Sequence, residues 1–422
     1  MRRPPGRRSS RKGRGAAPKI RIPDHPLVCP DPPEIIEEAD ALASFLDHVR
    51  TAGVFAYDTE FIGEESYHRK LCLIQMATSA RVAVIDPMNG LDVTGVWELI
   101  ADPALETIVH AGDQDLEPVV RHLDRTPANI FDTQVAAAFT NRPYPLSLLR
   151  MVEDILGVEL PRSMAYTRWD HRPLSPLHTQ YAAEDVRTLI AVRAQLGEEL
   201  EQRGHDAWVR AECERLSAKD LLVFNGETQR VRAQGNRDLR PRGTAILGGL
   251  VYLRDEIARA VDLPPRTVLR DDVLVRLAKN PVRTTEALAA TKGFPRPIAS
   301  DYGEKILRVI KEAVELPAKD LPVSTAVEET PDDQTAIDGL WAIVSCYCRG
   351  LGIAPGIVTS RRVIAQFYLA ERSGIPREEL PVMQSWRREL AGAFMESLLA
   401  GRTSVGFAWR DGTLVAERHP EG

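Results

Sequence analysis

The chain has 422 residues, 44% hydrophobic and 27% charged, with a formal net charge of −6. This length and composition predict about two to four globular domains and exclude a disordered or fibrous protein. No stretch approaches the ~18 consecutive apolar residues of a membrane span, and no secretory signal follows the basic N-terminus. Five cysteines without CxxC spacing argue against a disulfide framework or a structural zinc site. We therefore expect a cytoplasmic protein with no membrane partner.

The N-terminal end is strongly basic. Residues 1–22 contain nine Lys or Arg, no acidic residue and few large apolar ones. Such a segment cannot bury enough apolar surface to fold, so we expect residues 1–25 to be a disordered tail. Two interpretations stay open. The tail is either a solubilising segment or an electrostatic arm for a phosphate backbone, whose binding would weaken with salt.

Strand and helix patterns alternate over residues 26–212, which we expect to form one domain. Strands followed by interleaved helices predict a mixed sheet covered by helices. The strand-like runs cover residues 53–60, 71–77, 82–86 and 107–110, and the helical ones cover 113–121, 133–139, 146–156 and 176–202.

Strand signals nearly vanish after residue 212. Residues 213–238 are polar and predict a linker, and helical spacing of apolar residues predicts a small all-α domain over 239–317. Residues 318–334, rich in Pro, Thr and acids, predict a second linker. A second helical domain is expected over 335–422, with a hairpin signal at Asp411-Gly412 near its end.

The segment VFAYDTEF contains the first candidate site residues. Asp58 and Glu60 are two positions apart, so in a strand they point to the same face. Two carboxylates at the end of an apolar strand repel each other unless a cation compensates them, and a hard divalent ion such as Mg²⁺ or Mn²⁺ fits oxygen ligands. The alternative is that the strand ends at Tyr57 and both acids are solvated.

Two further clusters have acids in helical settings. In HAGDQDLEPVVRHL, Asp113 is a candidate N-cap and Asp115 a first-turn acid, placements that the helix dipole alone explains. In YAAEDVRTL, Tyr181 and Asp185 share a helix face, which is equally compatible with a buried hydrogen bond. Glu184 points elsewhere, so we expect it to be solvated.

Together the five residues Asp58, Glu60, Asp115, Tyr181 and Asp185 stand in the order and surroundings of DEDDy-class 3′→5′ exonucleases. The chain closely resembles the ribonuclease D family over residues 53–196, including LCLIQMA, FDTQVAAAF and TRWDHRPLSPLHTQYAAEDV. The segment LRDEIARAVDLPPRTVLRDDVLVRLAK resembles the HRDC domain that follows this nuclease. Residues 335–422 are in the position of the family's second, more diverged helical domain.

The resemblance implies both a fold and an activity. The fold would be α/β, with a ribonuclease-H-like mixed-sheet nuclease domain that has helices on both faces, followed by two small all-α HRDC-type domains. The activity would be metal-dependent 3′→5′ hydrolysis of RNA to nucleoside 5′-monophosphates. The expected partner is structured RNA with a 3′ overhang, tRNA precursors among them, and we expect the protein to be a monomer.

The resemblance also implies roles for the site residues. Asp58, Glu60 and Asp185 would hold one of two divalent metal ions, Mg²⁺ or Mn²⁺, and Asp58 and Asp115 the other. Tyr181 would orient the attacking water and help to deprotonate it.

The segment before the third motif departs from the family pattern. The family often has a Lys followed by TDW, whereas this chain has Arg162 and then TRWD at 167–170. The departure concerns substrate contacts rather than catalysis, because all five motif residues are present. Phe61 and His110 are candidate contacts to the terminal nucleotide, although a core-packing Phe61 and a structural His110 fit equally well.

Two alternative functions remain open at this stage. One is a DNA-directed 3′→5′ exonuclease with the same site, because no residue in the sequence identifies a contact to the 2′-hydroxyl. The other is a non-catalytic RNA-binding protein on the same fold, against which the complete set of five motif residues argues.

Overall fold

The structure is a computed structural model that describes residues 22–63, 65–160, 167–235, 237–322 and 329–420. Residues 1–21 of the predicted tail, Arg162 and residues 323–328 of the second predicted linker lie outside these ranges. In the described part of the chain, no helix combines the length and apolar character needed to cross a membrane.

A six-stranded mixed sheet forms the centre of an α/β domain (residues 34–216), with strand order β1-β4-β3-β2-β5-β6. Strand β3 runs antiparallel to both its neighbours, and the other pairs are parallel. The strands predicted from sequence are present, whereas β1 and β6 were missed because three residues are too few to show a period. The strands are β1 (Glu34–Ile36), β2 (Val54–Ile62), β3 (Lys70–Ala77), β4 (Val82–Ile85), β5 (Glu106–Val109) and β6 (Ile130–Asp132).

Helices cover both faces of this sheet, as predicted. Because side chains alternate along β2, Phe55 and Tyr57 pack against helices α1 to α3, while Ala56 packs with helices α4 to α8. The helices are α1 (Ala39–Ala52), α2 (Thr94–Ile100), α3 (Glu117–Leu123), α4 (Thr133–Ala137), α5 (Leu148–Leu156), α6 (Pro176–Arg187), α7 (Leu189–Arg203) and α8 (Asp206–Leu216).

The single helix predicted over 176–202 is two helices, α6 and α7, that meet at the buried Thr188. Glu184 on α6 is also buried, so the expectation that it is solvated is wrong. Its carboxylate pairs with Arg187 at 2.8 Å, and both side chains are 1% exposed. Arg187 also donates to the carbonyls of Cys29 and Asp31, because the N-terminal segment covers this side of α6.

The middle module (residues 219–315) is all-α, as expected for this stretch. Its helices are α9 (Lys219–Leu222), α10 (Gly226–Gln234), α11 (Pro241–Ala260), α12 (Pro265–Val268), α13 (Asp271–Lys279), α14 (Thr285–Ala290) and α15 (Arg296–Glu315).

Residues 213–238, predicted to be a linker, are largely helical, which corrects that prediction. The N-cap of α10 is Asn225, whose side chain accepts from the Thr228 amide at 2.9 Å. Within α10 only Gly226 and Ala233 are buried, and Ala233 joins the core of the middle module. A helix with so few buried positions has little apolar periodicity, which is why its sequence resembles a linker.

The third module (residues 331–420) combines helices with a terminal hairpin at Asp411-Gly412, where both residues have positive φ. Helix α16 begins at Pro331, inside the predicted linker 318–334, because Thr330 and Asp333 form a capping box there. A π-helical segment joins α20 to α21. The elements are α16 (Pro331–Gly350), α17 (Pro355–Val358), α18 (Arg361–Tyr368), α19 (Ala370–Ser373), α20 (Ser385–Arg387), α21 (Ala393–Leu399), β7 (Thr403–Arg410) and β8 (Thr413–Pro420).

The third module packs against the α/β domain, and the two share one hydrophobic core. The rings of Phe139 and Trp386 are 5.0 Å apart. The backbone amide of Ala354 donates to the carbonyl of Ala138 at 2.7 Å. This packing could not be predicted from local sequence patterns, because it brings together residues that are far apart in the chain.

Candidate active site

Strand β2 presents Asp58 and Glu60 on one face near its C-terminal end. The strand continues to Ile62, so the alternative in which it ends at Tyr57 is wrong. The pairing with β3 is irregular between Glu60 and Phe61, because Glu60 pairs with Leu73 and Phe61 with Leu71, which leaves one extra residue on β3. Asp58 and Glu60 are both half-buried.

The loop after β5 brings Asp115 to the same end of β2. The Tyr57 hydroxyl donates to the Asp115 carbonyl at 2.9 Å, and the Thr59 hydroxyl donates to the Asp115 carboxylate. Helix α3 begins at Glu117, so Asp115 precedes the helix and the first-turn placement expected from sequence is wrong. Tyr57 and Thr59 thus hold Asp115 from one face of β2, while Asp58 and Glu60 lie on the opposite face of the strand.

Asp132 fixes the start of the same loop. Its carboxylate accepts from the amides of Ala111 at 3.1 Å and Gly112 at 3.2 Å, and it also caps α4 by accepting from the Gln134 amide. Because Ala111 has a positive φ of 57°, the chain turns sharply there, and Asp132 stabilises that turn. Asp132 thus both caps α4 and holds the loop that carries Asp115.

Helix α6 supplies Tyr181 and Asp185. Tyr181 is 8% exposed, and its ring stacks on Trp169 with centroids 6.3 Å apart and planes 27° apart. Asp185, one turn later, is half-buried, and burial and then the charge of Glu60 raise its pKa. The structure therefore gathers all five motif residues at one end of the sheet.

Burial raises the pKa of each acid in this group, and repulsion within the group raises those of Asp58, Glu60 and Asp185 further. Burial raises the pKa of Asp58 well above its usual value, and the charges of Asp115, Asp185 and Glu60 raise it further. Burial and then Asp115 raise the pKa of Glu60 to about 7, and burial raises that of Asp115 to about 6. Asp58 is the member whose pKa is raised by the charges of all three others.

The donor set suits a hard divalent cation. Four carboxylates whose charges repel each other in a partly buried place are stabilised by a cation with oxygen ligands. As the side chains stand, no three His, Cys, Asp or Glu of the described residues converge closely enough to enclose an ion. The chemistry of the donors therefore fits a metal, and the coordination itself stays a prediction.

Phe61 and His110 have different surroundings. Phe61 is half-buried and lines a groove of about 460 Å³ between the α/β domain and the middle module. His110 Nδ1 lies 3.0 Å from the Thr133 hydroxyl, and burial lowers the pKa of its ring. This contact supports a structural role for His110, while the nucleotide contacts expected of both residues stay predictions.

A buried ion pair that the sequence analysis missed supports Trp169. The Arg172 guanidinium donates to the Asp86 carboxylate at 2.7 Å, and the Asp86 side chain is 1% exposed. Arg172 also donates to the carbonyls of Trp169 at 2.6 Å and Cys72 at 3.0 Å. The segment that carries Trp169 is therefore tied to the ends of β3 and β4. No local pattern could have paired residues 86 positions apart.

Family models match two parts of the chain. A model described as 3′-5′ exonuclease matches residues 33–201, and one described as HRDC domain matches residues 244–310. All five motif residues fall within the first match. The HRDC character of residues 335–422 stays a prediction.

The chain is similar to curated proteins called ribonuclease D over nearly their whole length. The relative from Gluconacetobacter diazotrophicus is 30% identical over 389 residues, which cover 92% of this chain and 96% of the relative. The relative from Escherichia coli K12 is 30% identical over 371 residues, covering 87% and 98%.

Solved structures agree with the sequence matches. The chain superposes on the crystal structure of Escherichia coli RNase D, described as an exoribonuclease involved in structured RNA processing, with a TM-score of 0.74 and 28% identity. The superposition covers 88% of this chain and 99% of that one. A protein from Bifidobacterium adolescentis has the same fold, with a TM-score of 0.56 and 20% identity over 89% of this chain.

Proposed function

Because the chain belongs to the ribonuclease D family of 3′→5′ exoribonucleases, we propose that its four clustered carboxylates hold two divalent metal ions for RNA hydrolysis. The observation that carries this proposal is that β2, the loop before α3 and helix α6 bring these four carboxylates to one end of the sheet, where their charges repel each other. The 3′-5′ exonuclease fold supports dependence on divalent metal ions. The number of ions and the choice of Mg²⁺ or Mn²⁺ belong to the proposal.

The proposed roles follow the placement of the side chains. Asp58, Glu60 and Asp185 would hold one ion, and Asp58 and Asp115 the other. When bound, two such metal ions make water a stronger nucleophile and stabilise the leaving oxygen of an in-line displacement. Tyr181 would orient the attacking water, and the stacked Trp169 would hold its ring in place. The product would be a nucleoside 5′-monophosphate from the 3′ end.

The substrate class that we propose is structured RNA with a single-stranded 3′ end, tRNA precursors among them. It is supported by the solved relative, which is described as acting in structured RNA processing. We further propose that the enzyme works as a monomer in the cytoplasm. The five cysteines, all unpaired, support a reducing compartment.

A gel time course tests the proposal. A 5′-labelled RNA hairpin with a single-stranded 3′ overhang is incubated with Mg²⁺, with Mn²⁺ or with EDTA, using the natural protein and the Asp185→Asn variant. We expect a metal-dependent ladder that shortens from the 3′ end and stops near the duplex, and no ladder with the variant. RNA that is bound but never cut by the natural protein would overturn the proposal.

The same assay distinguishes RNA from DNA as the substrate. Matched RNA and DNA oligonucleotides of one sequence are compared by kcat/KM. We expect RNA to be cleaved faster, and faster cleavage of DNA would support the alternative of a DNA-directed exonuclease.

A further inference from the structure

A groove of about 460 Å³ runs between the α/β domain and the middle module. One wall comes from the loop between β2 and β3 and from the start of α3. The other wall comes from α9 to α12. The groove begins beside the carboxylate cluster, because Phe61, next to Glu60, and Asp113, two residues before Asp115, both line it.

Tyr67 holds the two walls together. Its hydroxyl donates to the Asp255 carboxylate at 2.7 Å, and its backbone amide donates to the Asp262 carboxylate at 3.0 Å. The guanidinium of Arg259 lies over its ring at 5.2 Å. Because Tyr67 belongs to the loop that follows the catalytic strand, these contacts fix the groove wall relative to the carboxylates.

Five arginines line the groove, and three of them are engaged by acids. Arg121 pairs with Glu117 at 3.1 Å, Arg254 with Asp271 at 2.6 Å, and Arg259 with Asp255 at 2.8 Å. The other two, Arg69 and Arg232, are exposed and form no hydrogen bond or ion pair with any residue that the structure describes.

These two arginines lie on opposite walls. Arg69 belongs to the β2–β3 loop and is close enough to Asp115 to favour its charged form, whereas Arg232 lies on α10 of the middle module. An unpaired guanidinium on each wall gives the groove the donors that phosphate oxygens accept. The half-buried ring of Phe61 also lines the groove, and unpaired bases stack on aromatic rings of this kind.

We propose that this groove binds the RNA strand on the 5′ side of the scissile phosphate, with Arg69 and Arg232 as its phosphate contacts. The proposal rests on the proposed function and adds to it the path of the strand behind the reacting end. The groove guides single-stranded RNA because the four clustered acids would otherwise repel its phosphates, and the unpaired arginines beside them offset that repulsion. Recognition of the backbone makes the groove indifferent to base sequence.

The test compares a short and a long RNA. The kcat/KM is measured for a single-stranded trinucleotide and decanucleotide with the natural protein, with Arg232→Gln, and with Arg69→Gln/Arg232→Gln. The decanucleotide-to-trinucleotide ratio is used because a change in the chemical step affects both substrates and cancels. The matched control is Arg210→Gln, an exposed arginine on α8 that does not line this groove.

We expect the double variant to lower this ratio about tenfold, as the loss of two exposed charge-assisted contacts predicts. We expect its plot of log kcat/KM against log salt to be shallower by about 1.4, since each phosphate contact to a single strand contributes about 0.7. The single variant should show about half of each effect on a logarithmic scale, and Arg210→Gln should show neither.

An unchanged ratio and an unchanged salt slope in the double variant, with RNA still cleaved, would overturn the groove while leaving the proposed function intact. If the natural protein cleaves no RNA, the proposed function fails instead. The groove is then judged by fluorescence anisotropy of a labelled decanucleotide in EDTA. In this assay the binding affinity of the double variant must again depend less steeply on salt than that of the natural protein. An equal dependence would overturn the proposed role of the groove.

Discussion

The guanidinium of Arg387 donates two hydrogen bonds, of 2.7 and 2.8 Å, to the carboxylate of Glu212, although the two residues are 175 positions apart. Glu212 also accepts from the indole of Trp386 at 3.1 Å and from Arg215 at 2.7 Å. Its side chain is 2% exposed. The third module is therefore docked on the α/β domain through one buried and fully engaged carboxylate.

The first prediction concerns acid stability at this contact. Burial alone would raise the pKa of Glu212, but the hydrogen bonds from Arg387 and Arg215 outweigh it and lower the pKa to about 2. A lowered folded-state pKa stabilises the fold above the unfolded pKa of about 4.5, and this contribution is lost as the pH falls towards 2. We expect Glu212→Gln to destabilise the protein at pH 7 and to flatten the loss of stability below pH 4.5, measured by urea unfolding.

A surface acid provides the control for this measurement. Glu153 pairs with Arg150 in the open, where its side chain is 46% exposed. We expect Glu153→Gln to change stability little at any pH, because exposed ion pairs contribute little. If the free energy of unfolding of Glu212→Gln still falls below pH 4.5 as steeply as that of the natural protein, Glu212 is not the group responsible for the fall.

The second prediction concerns repulsion among the clustered acids. Burial and the charge of Asp115 raise the pKa of Glu60 to about 7. Between the unfolded pKa of about 4.5 and pH 7 the folded state then binds more protons than the unfolded state, so stability falls as the pH rises through this interval. We expect Glu60→Gln to reduce this fall, to which the other clustered acids also contribute, and to stabilise the protein by about 1–2 kcal/mol at pH 7.5 in EDTA. Thermal unfolding at a series of pH values measures it, and a variant less stable than the natural protein at pH 7.5 would count against it.

The third prediction links the acids to metal binding and hydrolysis. We expect Asp58→Asn and Asp185→Asn each to abolish RNA hydrolysis while RNA binding persists. Because an ion that binds only the folded state stabilises it, Mg²⁺ should raise the melting temperature of the natural protein but not that of Asp58→Asn. Asp47→Asn is the control, since the Asp47 side chain on α1 is 78% exposed and belongs neither to the proposed ligand set nor to the groove. Full hydrolysis by either variant would remove that residue from the site.

The fourth prediction separates Tyr181 from the residue that supports it. We expect Tyr181→Phe to lower kcat about 10²–10⁴-fold with little change in KM, because the ring remains and the proton-bearing oxygen is lost. Trp169→Leu removes the stacked ring and should lower kcat less, and Trp169→Phe should restore part of the loss. Steady-state kinetics on one RNA oligonucleotide measures all three. Equal losses in Trp169→Leu and Trp169→Phe would show that stacking does not position Tyr181.

Local periodicity was sufficient to predict the elements that carry the site. Asp58 and Glu60 alternate with buried residues along one strand, and Tyr181 and Asp185 share one helix turn, so both pairs were visible in the sequence. The resemblance to a family then joined them to Asp115. What could not be predicted was long-range contact, such as Glu212 with Arg387. The polar helix α10 was missed for a related reason, since its few buried side chains leave little periodic signal.

The fifth prediction concerns the anchor beneath Trp169. Arg172→Met leaves the Asp86 carboxylate, 1% exposed, without its main partner, and we expect a loss of about 3–5 kcal/mol in the free energy of unfolding. Arg172→Lys should not restore the loss, because one ammonium cannot reach the carboxylate and the carbonyls of Trp169 and Cys72 together.

The double variant Asp86→Asn/Arg172→Met separates two effects of losing Arg172. One is the unpaired charge on Asp86, and the other is the missing hydrogen bond to the Trp169 carbonyl. Removing both charges should recover part of the stability. We expect kcat to be lowered in Arg172→Met and to stay low in the double variant, since the carbonyl of Trp169 lacks its donor in both. Asp86 keeps a separate task, because its carboxylate accepts from the Met88 amide at 3.0 Å, and Asn can take over that bond. Urea unfolding and RNA hydrolysis are measured on the same samples. If kcat recovers together with stability, the ion pair matters only for folding, and Arg172 has no part in holding Trp169 against Tyr181.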